Sequence, residues 1–299
     1  MINKKNQRRS LVLLAMATIV AVQFSACRKD FQGCRELTTE DVFITEKIKG
    51  IIVEGPWDVV VTQSDADNSV CLEYCVDEKD RISARLLPSG YLHLRITGTG
   101  NIGNKIYRAK VSASSLDKIE MSGAATLRTY EYFESSVNSI DISLTGASYL
   151  DGFLCHGWEG EYLHSYVNIA LSGASKLRNL TFFGYGINAR ISGASELSLK
   201  NTSLLGYCEV DCSGASTFST GADGYAPFCS FTGSGASNFK TRNFESENLD
   251  IDLSGASIAE VTVNNTIKGR VTGASTLKYR KATNVDVLSQ GASTVMRVN

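Results

Sequence analysis

A four-residue unit centred on Gly-Ala occurs nine times between residues 122 and 293, and it limits the possible folds more than any other feature of the chain. Its glycines are Gly123, Gly146, Gly173, Gly193, Gly214, Gly235, Gly255, Gly273 and Gly291, separated by 23, 27, 20, 21, 21, 20, 18 and 18 residues. Ser or Thr usually flanks the pair, as in Ser172-Gly173-Ala174-Ser175. Such an interval is far too long for one strand and matches one coil of a β-solenoid.

Alignment on the glycine resolves each coil. Two residues before it stand Met121, Leu144, Leu171, Ile191, Cys212, Gly233, Leu253, Val271 and Ser289; four before stand Ile119, Ile142, Ile169, Ala189, Val210, Phe231, Ile251, Gly269 and Val287. Six before, the residues are again mostly apolar, as at Ile140, Val167, Ile187, Cys208, Cys229 and Leu249. Polar residues such as Asp141, Asn168, Asp250 and Asp252 alternate with them, the period-two pattern of a strand with one buried face. Four residues after the glycine a further apolar column runs from Leu127 through Leu150, Leu177, Leu197, Phe218 and Phe239 to Leu277 and Val295. Each coil therefore reads as strand, Gly-Ala corner, strand, with coils stacked about 4.8 Å apart. Glycine supplies positive φ at the corner, the small alanine is expected to permit close stacking, and the flanking hydroxyls to form ladders over the bend. Nine copies without a His or Lys companion point to architecture rather than to hydroxyl nucleophiles.

Residues 43–105 lack the unit but contain strand-like runs at Ile51-Ile52-Val53, Val59-Val60-Val61, Val70 to Val76 and Tyr91 to Ile96. Gly55-Pro56 and Ser89-Gly90 punctuate them as turns. They read as first coils or a cap, which would cover strand edges that are otherwise open. The chain thus divides into a signal at 1–26, a polar tether at 27–42, N-terminal β coils or cap at 43–105, and the repeat solenoid at 106–299. Composition agrees: 26 glycines against 3 prolines, 43% hydrophobic and 20% charged residues exclude a Pro-rich stalk and a disordered chain. A net charge of −1 excludes a polybasic nucleic-acid binder, and three histidines leave little for His-based catalysis.

The first segment is an address. Lys4, Lys5, Arg8 and Arg9 precede an apolar run from Leu11 to Phe24, short for a bilayer-spanning helix. The run ends in Phe24-Ser25-Ala26-Cys27, which resembles the lipobox of bacterial lipoproteins, with Phe24 where Leu is usual. Cys27 is then the acylated N-terminus, and loss of the four cations takes the net charge from −1 to about −5. Export to an oxidising compartment is compatible with disulfides. The seven cysteines beyond Cys27 are an odd number, however, and do not resemble a disulfide framework. Cys71 and Cys75, like Cys208 and Cys212, lie four apart in strand-like text, too far to bridge. Cys208 and Cys229 share one inward column and read as small core hydrophobes, with a bridge between them left open. No CxxC zinc spacing occurs, so no metal site is expected.

The lipobox, the segment Gly55-Pro56-Trp57-Asp58-Val59-Val60-Val61 and the tandem Ser-Gly-Ala-Ser units together resemble the bacterial "putative auto-transporter adhesin, head GIN domain" family over roughly residues 43–295. The resemblance implies a right-handed parallel β-helix-like solenoid on an envelope lipoprotein. It carries no catalytic residues across.

Two stretches bear on chemistry. Outward positions place Asp252 beside Arg270, Asp250 beside Lys268 and Asp211 beside Arg190. An acid-plus-Arg surface of this kind serves polysaccharide-cleaving β-helix enzymes; alternating opposite charges also describe plain cross-strand ion pairs, and this second reading fits the alternation better. The longest interval, between Gly146 and Gly173, holds Trp158, Tyr162 and Tyr166 with His156 and His164. Its aromatic residues can stack on a sugar ring or a protein surface, or simply cover a coil edge. The expectation is a non-enzymatic outer-membrane lipoprotein, tethered to the membrane by lipid, that binds a glycan or protein through an extended surface. It has no cofactor, no metal and no nucleic-acid partner. A polysaccharide-acting enzyme and a purely structural envelope protein are the alternatives.

Overall fold

The structure is a computed structural model that describes residues 34, 36–65, 68–98, 105–129, 133–135, 138–156, 165–221 and 223–299. It is an all-β solenoid whose strands join in one continuous, mostly parallel sheet. The aligned columns are its interior. Ile119, Ile142, Ile169, Ala189, Val210, Phe231, Ile251, Gly269 and Val287 are successive partners in register. From Ile119 to Ile251 that column is buried, as is the column after the corner from Leu127 to Leu277. Where the second column widens to Phe218 and Phe239, Phe231 packs between them at ring separations of 5.8 and 5.2 Å. Gly233 leaves the space: a Cβ there would lie 2.8 Å from both Phe239 and Leu253. Interior volume is therefore conserved across columns rather than within one.

The corners differ in detail from expectation. All nine glycines hold φ between +72° and +86°, followed by an exposed alanine. Close approach belongs to the glycine: a Cβ on Gly193 would meet the Gly173 carbonyl oxygen at 2.5 Å. The alanine instead points outward while its N–H donates to the glycine carbonyl of the preceding coil, at 2.7 Å from Ala194 to Gly173. The two hydroxyls do separate work. The first donates to a carbonyl of the preceding coil, as Ser192 does to Leu171 at 3.3 Å. The last is buried and closes its own turn, as Ser257 does on Ser254 at 2.8 Å. A continuous hydroxyl ladder does not form, since the buried Oγ atoms of Ser195 and Ser216 have no hydrogen-bond partner.

The N-terminal region is built out of chain order. Its strands are β1 (Leu37–Val42), β2 (Gly50–Glu54), β3 (Asp58–Gln63), β4 (Ser69–Cys75), β5 (Ile82–Leu86), β6 (Tyr91–Ile96), β7 (Tyr107–Ala113), β8 (Lys118–Ser122) and β9 (Thr126–Thr129). β2 and β3 form a coil around Gly55, and this coil lies between β6–β7 on one side and β8–β9 on the other. The chain thus leaves after β3, builds the outer coil, and steps back over β2–β3 to begin β8. Gly123 stacks on Gly55, which makes Gly55-Pro56-Trp57 a corner without the Gly-Ala-Ser residues. Antiparallel strands cover the outer edge: β5 pairs with β6, β4 with β7, and β1 with β4. Residues 37–42, read from sequence as tether, are therefore strand β1, and the coil of β6 and β7 spans residue 105. Inside the cap Trp57 packs on Tyr107, and the buried Glu78 accepts hydrogen bonds from Tyr107 Oη and Arg81, both at 2.7 Å.

Candidate functional site

The outward face of the strand before each corner carries the charges, because alternation that buries Leu249, Ile251 and Leu253 must expose Asp250 and Asp252. Lys268 lies 3.3 Å from Asp250, and Arg270 pairs with Asp252, with whose carboxylate it forms a hydrogen bond that raises its pKa. Arg190 and Asp211 are register neighbours, yet no ion pair joins them among the described residues. Ser230, Thr232, Asp286 and Leu288 complete a shallow depression of about 390 Å³ over the two ion pairs. Asp250 and Asp252 both line this depression, and each faces a cation. The next face repeats the scheme with Glu260–Lys278 at 2.9 Å and Glu196–Arg178 at 2.8 Å.

Aromatic residues gather elsewhere, on the middle coils. Of the sequence candidates, Cys27, Trp158 and Tyr162 lie outside the described residues, as does His164; Tyr166 opens the strand Tyr166–Leu171. Its ring lies 5.4 Å from that of Tyr185 and 6.2 Å from that of Tyr207, and these two meet edge to face at 6.1 Å. Glycines make the cluster possible. A Cβ on Gly186 would sit 2.9 Å from the Tyr207 ring, and one on Gly206 would sit 2.6 Å from the Tyr185 ring. Each tyrosine therefore fills the space left by a glycine on the adjoining coil. Burial, followed by neighbouring Tyr166, Glu209 and Tyr185, raises the Tyr207 phenol above its ordinary pKa. Phe183, Leu205, Tyr225 and Phe228 continue the patch and are among the most exposed large apolar side chains described. Tyr185, Tyr207 and their neighbours escaped the sequence reading. The signal was present as a Gly-Tyr dipeptide at 184–185, 206–207 and 224–225, one on each of three successive coils.

The cysteines divide into two kinds. Cys34 and Cys75 form a disulfide that ties the segment before β1 to the end of β4. This corrects the reading that the cysteines form no disulfide framework: the partners are distant in sequence but brought together because β1 pairs antiparallel with β4, Leu37 opposite Cys75. Cys208 and Cys229 are register neighbours, buried and unbridged. A hydrogen bond to Cys229 and burial hold the Cys208 thiol protonated, and burial pushes Cys212 up to about 12, so these thiols are packing groups. Among the described residues no group of three or more His, Cys, Asp or Glu is placed to hold a metal ion. No described helix is long and apolar enough to cross a membrane.

Residues 48–282 match the family described as "Putative auto-transporter adhesin, head GIN domain". The chain belongs to this family. No curated protein matches it significantly. Among solved structures, a putative adhesin from Parabacteroides distasonis is similar at a TM-score of 0.61 and 17% identity, covering 88% of this chain and 97% of that one. A putative adhesin from Parabacteroides merdae has a TM-score of 0.61 and 14% identity over 89% and 97%. A putative lipid binding protein from P. distasonis has a TM-score of 0.54 and 13% identity over 89% and 98%. At these identities the likeness establishes the shared solenoid fold. Membership of the head GIN domain family supports a role in adhesion or binding.

Proposed function

We propose that this member of the head GIN domain family is an exported lipoprotein, anchored through Cys27, that binds a ligand along the outer face of its coils and performs no chemistry on it. The observation that carries the reading is the state of the outward acids. Asp250, Asp252, Glu260 and Glu196 are each engaged by a cation, and the depression over Asp250 and Asp252 is shallow. A surface so arranged offers many modest polar contacts along an axis. The Cys34–Cys75 disulfide suits an oxidising compartment, in agreement with the signal-like segment at 1–26. Ligands of two classes fit such a face, a glycan chain and a protein surface.

Two measurements test the reading. Cells expressing the chain and fed a palmitate analogue should label it and retain it in the outer-membrane fraction, and Cys27→Ala should lose both label and retention. The soluble chain from residue 28, which lacks the lipidated Cys27, applied to arrays of envelope and host glycans and of matrix proteins, should bind a defined subset. Silence on every array would overturn the binding role.

A further inference from the structure

We infer that the aromatic cluster around Tyr185 and Tyr207 is a binding site for a linear glycan that runs along the axis of the stack. The inference rests on the binding role proposed above and names its ligand class. Three observations lead to it.

The first is periodicity. Tyr166, Gly186, Tyr207 and Phe228 occupy one register position on four successive coils, with Tyr207 leaning over Gly186. Aromatic side chains therefore occupy three of four successive steps of about 4.8 Å, a step comparable to one sugar unit of an extended chain. Two residues on, the outward row reads Asn168, Asn188, Glu209 and Ser230, again one per coil. A pyranose has an apolar C–H face and a rim of hydroxyls. Rings set edge to face or tilted beside a parallel row of amide, carboxylate and hydroxyl groups offer partners for both.

The second is exposure against cost. Phe183, Leu205, Tyr225 and Phe228 lie 41%, 59%, 37% and 36% exposed, grouped on adjoining coils, while the later residues in register with Phe228 are Asn248, Thr266 and Asn284. A group of exposed apolar side chains on adjoining coils marks an interaction surface. The third is chemistry: the Tyr166 and Tyr207 hydroxyls make no hydrogen bond to any described residue, and Asn188, beside them, makes none through its side chain. The ion-paired ladder further along, by contrast, has its charges already engaged. This favours an uncharged, hydroxyl-rich ligand over a protein partner seeking charge complement.

The test is affinity electrophoresis of the soluble chain through gels containing hydroxyethylcellulose, laminarin or galactomannan, with the matrix-protein array in parallel. Retardation by at least one polysaccharide is expected. Tyr207→Ala should weaken it roughly tenfold, the scale of one ring's stacking, and Tyr207→Phe, which keeps the ring, should weaken it by less than about threefold. Tyr225→Ala, at the exposed rim, serves as a second variant, and the far-ultraviolet spectrum of each variant checks that it is folded. Retardation unaffected by folded Tyr207→Ala and Tyr225→Ala would overturn the site. Binding to matrix proteins with no retardation on any polysaccharide would overturn the glycan and leave the adhesion role standing; failure on both would overturn both.

Discussion

The cap-bearing coils and the Gly-Ala coils share one glycine column and the same apolar columns, yet only the second region is assembled in chain order. Gly55 stacks under Gly123, and Val53, Ile51 and Val59 stand at the same offsets from it as Leu171, Ile169 and Leu177 do from Gly173. The corner therefore needs glycine and the flanking alternation, not the full Ser-Gly-Ala-Ser unit. What that unit adds is repetition at close contact, since the glycine carbonyls from Gly123 to Gly255 accept the next alanine N–H and the buried Ser148, Ser175, Ser237 and Ser257 close their own turns. The cap meets a different demand. It must end a parallel sheet without leaving an open edge, and it does so with antiparallel strands, a buried Glu78–Tyr107–Arg81 cluster and a disulfide. Local repetition holds one region together; long-range pairing holds the other.

Four perturbations probe that contrast, taken from the largest effect. Phe239→Ala, in the widest part of the repeat interior, should cost about 3–5 kcal/mol by chemical denaturation. A cost below about 1 kcal/mol would mean that neighbouring coils close over the gap. Cys75→Ser removes a crosslink between residues 41 apart and should cost about 2–4 kcal/mol. Hydrogen exchange should accelerate in β1 and β4 while the strands around Gly193 to Gly255 stay protected; uniform acceleration would show that cap and repeat open as one unit.

Gly193→Ala should cost about 2–3 kcal/mol, because its Cβ meets a backbone oxygen at 2.5 Å and φ is +72°. Gly55→Ala should cost less, its Cβ being 3.3 Å from the Ile96 side chain, which can yield. Equal costs would mean that φ alone, rather than stacking, fixes the column. The smallest effect concerns pH. The hydrogen bond to Glu40, with burial behind it, raises Tyr74 from 10.0 to about 12. A raised phenol contributes stability that is complete below pH 10 and is lost as pH climbs through about 12, so β1–β4 pairing should loosen on that rise. Tyrosinate absorbance should show one late-titrating group that Glu40→Gln brings down; an unchanged titration would remove Tyr74 from the account.

Much of the repeat was legible in the sequence because its physics is local. The residues before and after each glycine alternate, and Ile142, Leu171 and Leu197 point inward as the alternation requires. What escaped was non-local or masked by substitution. Gly55 carries Pro56-Trp57 where the repeat has Ala-Ser, so alignment on Gly-Ala passes over it. No spacing rule reports that β2–β3 slips between β6–β7 and β8–β9, or that Cys34 meets Cys75 across an antiparallel pair. Tyr166, Tyr207 and Phe228 share one offset, seven residues before their corner glycines, but Gly186 holds that place on the coil between them and Tyr185 stands one residue earlier, so the column does not read as aromatic. The Gly-Tyr dipeptide was the usable signal.

If this surface binds without chemistry, as proposed, Asp250 and Asp252 serve only as ion-pair partners of Lys268 and Arg270. The soluble chain should be incubated with each polysaccharide that retards it, and the products followed by reducing-end release. The account predicts retardation with no new ends over background, unchanged in Asp252→Ala. Steady release of new ends that Asp252→Ala abolishes would contradict it.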